Sequence, residues 1–505
     1  MIRVLFACLL ALSPPAMAQQ HVHTPTPAAV TTNGGLGEIS FPNSGAPEAQ
    51  DAFLRGVLLL HSFEFESARQ AFLAAQRADP GLALAYWGEA LSYNKPIWNE
   101  QDLAAARAAL AKLAPTAAAR IAKAPTQREK DYLAAVEKLY GEGEKTVRDA
   151  AYSAALEAMA RKYPDDLDAR SLYALSLLGL TGAARNTTNY MRAAAEAEAV
   201  YEINKRHPGA LHYLIHAYDD PVHAPLGLRA ARLYGQLAPA ASHAQHMPSH
   251  IFFALGMWDD AIRSNIAALK TARDQGHGGY HALHWLMYAW LQEGRRDEAA
   301  ALMQLVADDV GRKPDKDNRS ALASVRATWL FETNGAGGPQ LRTALDSSGI
   351  RSIYSFASYD FARGVVAANQ GDLDSARSAL QSLRSRIDTN RGAKNSATAS
   401  RYDNVTADEL RQSEILAMAL DGALRFAQGE RSEGIAYVRR AADSAGQMSF
   451  EYGPPWSAKP LTELLGEMLL KSGDRAAAAT AFQASLNEHP NRRLSVAGLT
   501  QTQRE

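Results

Sequence analysis

A fixed interval of 34 residues separates histidines in the middle of this chain, and this interval limits the possible folds more than any other feature. It relates His216 to His250 and His250 to His284, and it also relates His212 to His246 and His243 to His277. Ten of the 14 histidines lie between His207 and His284. A fixed period of this length indicates a structural unit that recurs along the chain and packs against its neighbours in a linear array.

Small and aromatic residues repeat at matching offsets near the two ends of the chain. One unit contains Gly56, Ala68, Phe72 and Pro80, and the other contains Gly466, Ala478, Phe482 and Pro490. In both units the offsets from the glycine are 12, 16 and 24 residues. This spacing resembles the tetratricopeptide repeat (TPR), a helix-turn-helix unit of ~34 residues with small residues where its helices cross and a proline at its end.

The resemblance implies an all-α fold, a right-handed α-solenoid of TPR-like helix pairs. From Asp51 onward, apolar residues recur at helical spacing and the alternating pattern of β-strands is missing. Five turns begin with glycine and continue with acidic or small residues, at Gly256, Gly294, Gly371, Gly429 and Gly473. We therefore predict about eight to ten helix pairs over residues 48–495, followed by a C-terminal tail at 496–505.

The N-terminal residues are typical of an exported protein. Residues 1–18 contain Arg3, an apolar run and the sequence Ala16-Met17-Ala18, which together predict a cleaved signal peptide and a periplasmic or secreted location. Residues 19–47 are rich in Pro, Thr and Gly and are predicted to form a flexible arm. The single cysteine lies inside the predicted signal, so thiolate ligands are not expected in the mature chain.

The charge balance argues against nucleic-acid binding, and the hydropathy argues against a membrane-spanning helix. The 53 Lys and Arg residues nearly balance the 54 Asp and Glu residues, so the chain lacks the basic excess that favours nucleic acid. No segment approaches the ~20 apolar residues that a membrane helix requires, and we predict no membrane span. Phosphate loops and dinucleotide fingerprints are also missing, so no nucleotide cofactor is expected.

The resemblance to TPR proteins implies that the first helix of each pair lines a concave groove. Residues 209–219, 244–255 and 279–291 are predicted to be such first helices. Histidines three or four residues apart share one face of a helix, and stacking the helices would bring the pairs together. The candidate metal ligands on this wall are His212, His216, Asp219, His243, His246, His250, His281 and His284.

Neutral imidazole binds Zn, Cu, Ni and Fe, and a nitrogen site with a nearby carboxylate favours Cu or Zn here. Asp219 could be a ligand or could orient a ligating imidazole. Two other interpretations stay open: a polar groove for an anionic or aromatic ligand, and histidines without a function. The function predicted from sequence is an exported TPR-repeat protein with a metal-binding groove, for delivery or as a metalloenzyme centre. The alternative is a metal-independent scaffold that binds a protein or peptide.

Overall fold

Helices make up nearly all of the regular structure in this protein. The structure, a computed structural model, describes residues 34–180, 185–393, 401–449 and 452–504. Within these ranges the α-helices are α1 Pro47–His61, α2 Phe65–Ala78, α3 Ala83–Leu91, α4 Leu103–Leu113, α5 Ala117–Lys123, α6 Gln127–Leu139, α7 Lys145–Lys162, α8 Leu167–Gly179, α9 Thr187–Ile203, α10 Pro208–Tyr218, α11 Ala224–Leu237, α12 Ser242–His246, α13 Pro248–Ala254, α14 Trp258–Asp274, α15 Tyr280–Gln292, α16 Arg296–Arg312, α17 Lys316–Thr333, α18 Tyr354–Asn369, α19 Leu373–Asn390, α20 Ala407–Ala427, α21 Arg431–Ala445, α22 Leu461–Lys471, α23 Arg475–Glu488 and α24 Arg493–Thr502.

The remaining regular structure in the described ranges is small. Three short 3-10 helices span Pro96–Trp98, Pro339–Arg342 and Arg401–Asp403. Two antiparallel strands of two residues each, β1 Asn94–Lys95 and β2 Glu100–Gln101, pair with Asn94 opposite Gln101. The prediction of an all-α fold is confirmed.

Consecutive helices pack against each other along the chain, as a TPR-like solenoid requires. The small and aromatic residues that repeat near the two ends of the chain explain how the helices pack. The Phe72 ring lies between α1 and α3, where a Cβ added to Gly56 or Gly88 would come within 2.7 Å or 2.3 Å of it. Phe482 occupies the same position between Gly466 and Gly498. The small residues therefore allow adjacent helices to approach each other closely, and the aromatic ring fills the space up to the next helix pair.

The predicted turns also have the expected geometry. The glycines at 256, 294, 371, 429 and 473 all have positive φ angles, between 64° and 98°. A glycine in this left-handed conformation ends a helix without the steric cost that a Cβ would add. Each of these turns therefore separates two helices of the repeat.

Both ends of the solenoid contact its middle. Helix α1 packs against α10, although about 150 residues separate the facing side chains His61 and Tyr213, which are 2.8 Å apart. At the other end, the Trp258 indole donates a hydrogen bond to the Asn491 carbonyl at 3.1 Å. The superhelix therefore curls strongly enough for units from both ends to contact α10 and α14.

The segments next to the repeats differ from expectation where the structure describes them. The predicted signal peptide and residues 19–33 lie outside the described residues. In the described part of the predicted arm, Leu36, Ile39 and Phe41 are buried in the core, because their apolar side chains pack on the helices. Helix α24 continues through the start of the predicted tail to Thr502. In the described ranges, none of the helices combines the length and apolar character needed to cross a bilayer.

Candidate metal centre

Four helices of the solenoid place the clustered histidines. The predicted first helices correspond to α10, to α12 with α13, and to α15. Pro248 divides the second of them, because proline has no N–H to donate and its ring disrupts the preceding turn. His246 and His250 lie on either side of this break, yet their Nε2 atoms are 3.2 Å apart. The break therefore leaves the two side chains together.

Six of the predicted ligands form two neighbouring groups of three imidazoles in the described chain. His212, His216 and His243 form the first, which we call trio A, and His246, His250 and His281 form the second, trio B. In each trio, one nitrogen from every ring lies within 4.8 Å of the other two. The trios adjoin each other, with the rings of His216 and His250 centred 6.0 Å apart.

In three of these rings, a hydrogen bond at Nδ1 leaves the Nε2 lone pair facing another ring of the same trio. The Nδ1–H of His212 donates to the His61 carbonyl at 2.6 Å, and the Nδ1–H of His246 donates to Asn265 Oδ1 at 2.7 Å. The Asn265 amide is oriented by its own bond from Nδ2 to the Ala261 carbonyl. His250 donates its Nδ1–H to Asp219 Oδ2 at 2.5 Å. In a neutral imidazole, such bonding leaves Nε2 as an acceptor and a possible metal ligand.

The spacing of the Nε2 atoms fits a shared cation. The Nε2 atoms of His212 and His243 are 3.2 Å apart, and those of His246 and His250 are separated by the same distance. Two nitrogens bound to one tetrahedral zinc at ~2.0–2.1 Å lie roughly 3.3 Å from each other. In trio B the Nδ1 bonds of His246 and His250 leave a lone pair on both Nε2 atoms, and two facing lone pairs repel at this distance unless a positive charge lies between them. Each trio therefore has the donor spacing of a transition-metal site.

Burial keeps these imidazoles in the neutral form that binds metal. Desolvation lowers the pKa of His212, His216, His243 and His246 well below that of a free imidazole. Neighbouring imidazoles lower each pKa further, chiefly His216 for His212 and His250 for His216. A metal ion that binds one nitrogen of each ring therefore need not displace the proton of an imidazolium at neutral pH.

One residue in each trio is less buried than the other two. His281 is exposed and His243 is partly exposed, whereas the other four imidazoles are buried. A metal site requires an entry path. With three nitrogens each, the trios would also leave at least one tetrahedral position open, as at zinc sites that bind water or substrate.

The two remaining predicted ligands have other positions. Asp219 orients His250 through its Nδ1 atom, the position of a residue that supports a ligand. Burial raises the pKa of this carboxyl, while His250 opposes the shift. His284 lies one turn beyond His281 on α15, and its Nε2 is 2.8 Å from Thr328 Oγ1. The structure thus brings His281, rather than His284, to the ring of His246.

Aromatic rings from distant segments cover the trios. Phe63, just after α1, lies 4.3 Å from the ring of His212 and 5.4 Å from that of His243. The φ angle of Phe63 is 55°, a left-handed conformation that is uncommon for a bulky residue. Trp285 lies 4.5 Å from the ring of His250. A Cβ on Gly453 would approach the Trp285 ring to 2.1 Å, so the segment before α22 packs directly on this wall.

A third cluster, His61, Asp168 and His207, differs from the trios in its hydrogen bonding. His207 Nδ1 accepts the Ala210 N–H at 3.3 Å, so the proton of the neutral ring lies on Nε2, 3.5 Å from Asp168 Oδ1. His61 Nε2 donates to the same oxygen at 2.9 Å. Burial raises the pKa of Asp168, but the two adjacent histidines outweigh burial and hold it well below its usual range. This cluster anchors a buried carboxylate through His61, and in the described chain it leaves His207 Nε2 and Asp168 Oδ2 without a hydrogen-bond partner.

Sequence reasoning missed several of these supporting residues. Asn265 is on α14, the second helix of its pair, and nothing in its sequence context distinguishes it from other polar helix residues. His61 had a better signal, since its position at the end of the first helix placed it near the groove. Its backbone carbonyl, rather than its ring, holds His212.

Comparisons with known proteins show similarity in fold only. No family model matches the chain, and no curated protein matches it either. Among solved structures, it is similar to the Cut9–Hcn1 hetero-tetramer of APC/C at 11% identity, covering 92% of this chain and 78% of that one, with a TM-score of 0.37. It is also similar to the human IFIT1 dimer with m7Gppp-AAAA at 13% identity, covering 92% of each chain, with a TM-score of 0.38. The TPR domain of P58(IPK) matches at 12% identity, over 90% of this chain and 97% of that one, with a TM-score of 0.22.

Proposed function

We propose that this chain is an exported TPR-like protein that binds two transition-metal ions, Cu or Zn, one in each histidine trio. The observation that carries the proposal is the pair of 3.2 Å contacts between Nε2 atoms, one in each trio. The Nδ1 hydrogen bonds of His212, His246 and His250 fix the tautomer that such a site requires. A groove of stacked helices supplies the rigid support.

The donor set favours borderline metals over hard ones. Imidazole nitrogen suits Zn, Cu, Ni and Fe, whereas Mg and Ca prefer oxygen ligands. The Asp219 carboxylate is engaged with His250 Nδ1 and that of Glu64 accepts the His243 backbone N–H, and thiolates are not available in the described chain. An open position on each ion would allow release to a partner or the binding of a small substrate. We propose that metal binding underlies both roles, release of the metal to a partner and binding of a substrate.

Metal titration of the purified protein tests the proposal. After removal of metal with a chelator, equilibrium dialysis against Zn(II) or Cu(II) should load two ions per chain, one for each trio. The variant His212→Ala/His243→Ala should retain one ion in trio B, and His246→Ala/His281→Ala should retain one in trio A. His277→Ala is the matched control, because His277 is exposed and lies outside both trios. A wild-type protein that binds neither metal would contradict the proposal.

Removing Asp219 should chiefly weaken trio B. Asp219→Ala leaves the Nδ1–H of His250 without its carboxylate acceptor, and loss of such a support typically costs ten- to a hundred-fold in metal affinity. We expect the loss chiefly at trio B, measured by competition with a chromophoric chelator. The control is Asp220→Ala, since the neighbouring carboxylate binds Arg185 and His223 rather than a trio histidine. Equal losses in both variants would assign Asp219 a general structural role.

A partner protein is a second proposal. Trp98 is 47% exposed and lies 6.0 Å from the ring of His243, the least buried residue of trio A. A docked partner would cover this indole and gain access to the metal. Capture of the same partner by the chelator-treated and the metal-loaded protein would favour a metal-independent scaffold, whereas capture that requires metal would favour delivery.

A further inference from the structure

His216 is the histidine that lies between the two trios. Its ring is centred 4.8 Å from that of His212 and 6.4 Å from that of His243, its partners in trio A. The ring of His250 in trio B is 6.0 Å away, which is closer than His243. His216 is therefore a member of trio A that also faces His250 of trio B.

Both ring nitrogens of His216 are buried and, among the described residues, neither has a hydrogen-bond partner. The other three buried imidazoles of the trios differ, since His212, His246 and His250 each use Nδ1 as a donor. Leaving a buried polar atom without a partner costs about 1–3 kcal/mol. A buried ring with two unpartnered nitrogens lowers the stability of the fold unless both nitrogens bind a ligand that the neighbouring rings also bind.

We propose that His216 bridges the two metal ions as an imidazolate, with one ring nitrogen bound to the ion of trio A and the other to the ion of trio B. The proposal rests on the proposed function, since it requires both ions. Binding of the second ion displaces the remaining N–H proton of the ring, which is released to solvent, and no electron is transferred. His216 remains a ligand of the ion in trio A and becomes an additional ligand of the ion in trio B, so both of its unpartnered atoms are satisfied.

The bridge gives the site a property that two isolated sites would not have. Occupation of one trio lowers the cost of removing the second proton from His216, because a bound cation stabilises the imidazolate. Loading of the two ions is therefore expected to be cooperative, and the two ions are linked electronically through the ring. The ligand class is a pair of divalent first-row ions, of which Cu(II) reports the link directly.

Electron paramagnetic resonance of the copper-loaded protein tests the bridge. Two Cu(II) ions joined by an imidazolate couple antiferromagnetically, so the low-temperature signal of the fully loaded protein should fall well short of its bound copper. Replacing one Cu(II) by diamagnetic Zn(II) should restore the signal of the remaining copper to full intensity. This mixed-metal arm uses the wild-type chain and does not depend on how a variant folds.

Two variants separate the bridge from other couplings. His216→Ala should show the full signal of whatever copper it binds, because the bridging ring is gone, while the exposed control His277→Ala should keep the reduced signal. A loaded wild-type protein with full intensity, or a His216→Ala protein whose coupling persists, would overturn the bridge and leave the proposed function standing. A chain that binds no copper would overturn both. If His216→Ala fails to fold, His216→Gln, which preserves more of the side-chain volume, takes its place.

Discussion

Replacing Arg492 with methionine is expected to lower the free energy of unfolding of the C-terminal part of the solenoid by about 3 to 5 kcal/mol. The Arg492 guanidinium is fully buried at the start of α24. It makes two parallel hydrogen bonds to the Glu463 carboxylate, at 2.7 and 2.9 Å, and a third to the Tyr288 hydroxyl at 2.7 Å. It also lies 2.6 Å from Glu332.

The size of this effect follows from the charges left behind. Glu463 and Glu332 are fully buried, and Lys459 is the other cation that contacts Glu463, at 3.0 Å. Burial raises the pKa of Glu463, but Arg492 and Lys459 outweigh burial and lower it to about 2. Without Arg492, Glu463 would keep Lys459, which also pairs with Glu467. Glu332 would be left with the more distant Arg493 at 3.5 Å. Breaking a buried ion pair on one side only is strongly destabilising, because an uncompensated charge remains in a low dielectric.

Urea unfolding followed by circular dichroism measures the loss, and a double variant provides the control. Arg492→Met/Glu332→Leu removes one charge of each sign and leaves Glu463 paired with Lys459. We expect the double variant to be more stable than Arg492→Met alone, because neighbouring substitutions in one network are not additive. A single variant as stable as the wild type would show that these charges do not hold α24 against α15 and α17.

The second large effect concerns pH. The metal-free protein is expected to lose stability as the pH falls from about 6.5 towards 4. Burial lowers the pKa of His284 from 6.5 to about 4. Between these values the unfolded chain binds more protons than the folded chain, so stability is complete above the unfolded pKa and decreases as the pH falls. A shift of this size corresponds to up to about 3 kcal/mol for a single histidine, with less where solvent reaches the ring.

Urea midpoints of the metal-free protein at several pH values, compared between wild type and His284→Gln, measure this contribution. Glutamine does not titrate, so the variant should lose less stability between pH 6.5 and 4 than the wild type. The pKa values of His212, His216, His243 and His246 shift in the same direction, so a substantial acid sensitivity should remain in the variant. An identical pH dependence in both proteins would show that His284 does not titrate with unfolding.

The sequence determined the fold and the approximate place of the site. Gly56, Phe72 and their counterparts Gly466 and Phe482 recur at equal offsets because helix crossings need a small residue facing a ring, and this need is local to each unit. Helical spacing likewise put His212 with His216 on one face, because side chains four residues apart on a helix are neighbours. Those relations depend only on chain geometry over a few turns.

The tertiary structure decided which side chains meet across the repeats. The 34-residue period relates His284 to His250, but in the structure His281 packs against the ring of His246, and His284, one turn further along α15, contacts Thr328. Asn265, Asp219 and the His61 carbonyl became supports for the imidazoles only through packing. Whether a histidine presents a lone pair or an N–H depends on the acceptor opposite its other nitrogen. For His212 this acceptor is the His61 carbonyl, which lies about 150 residues away along the chain.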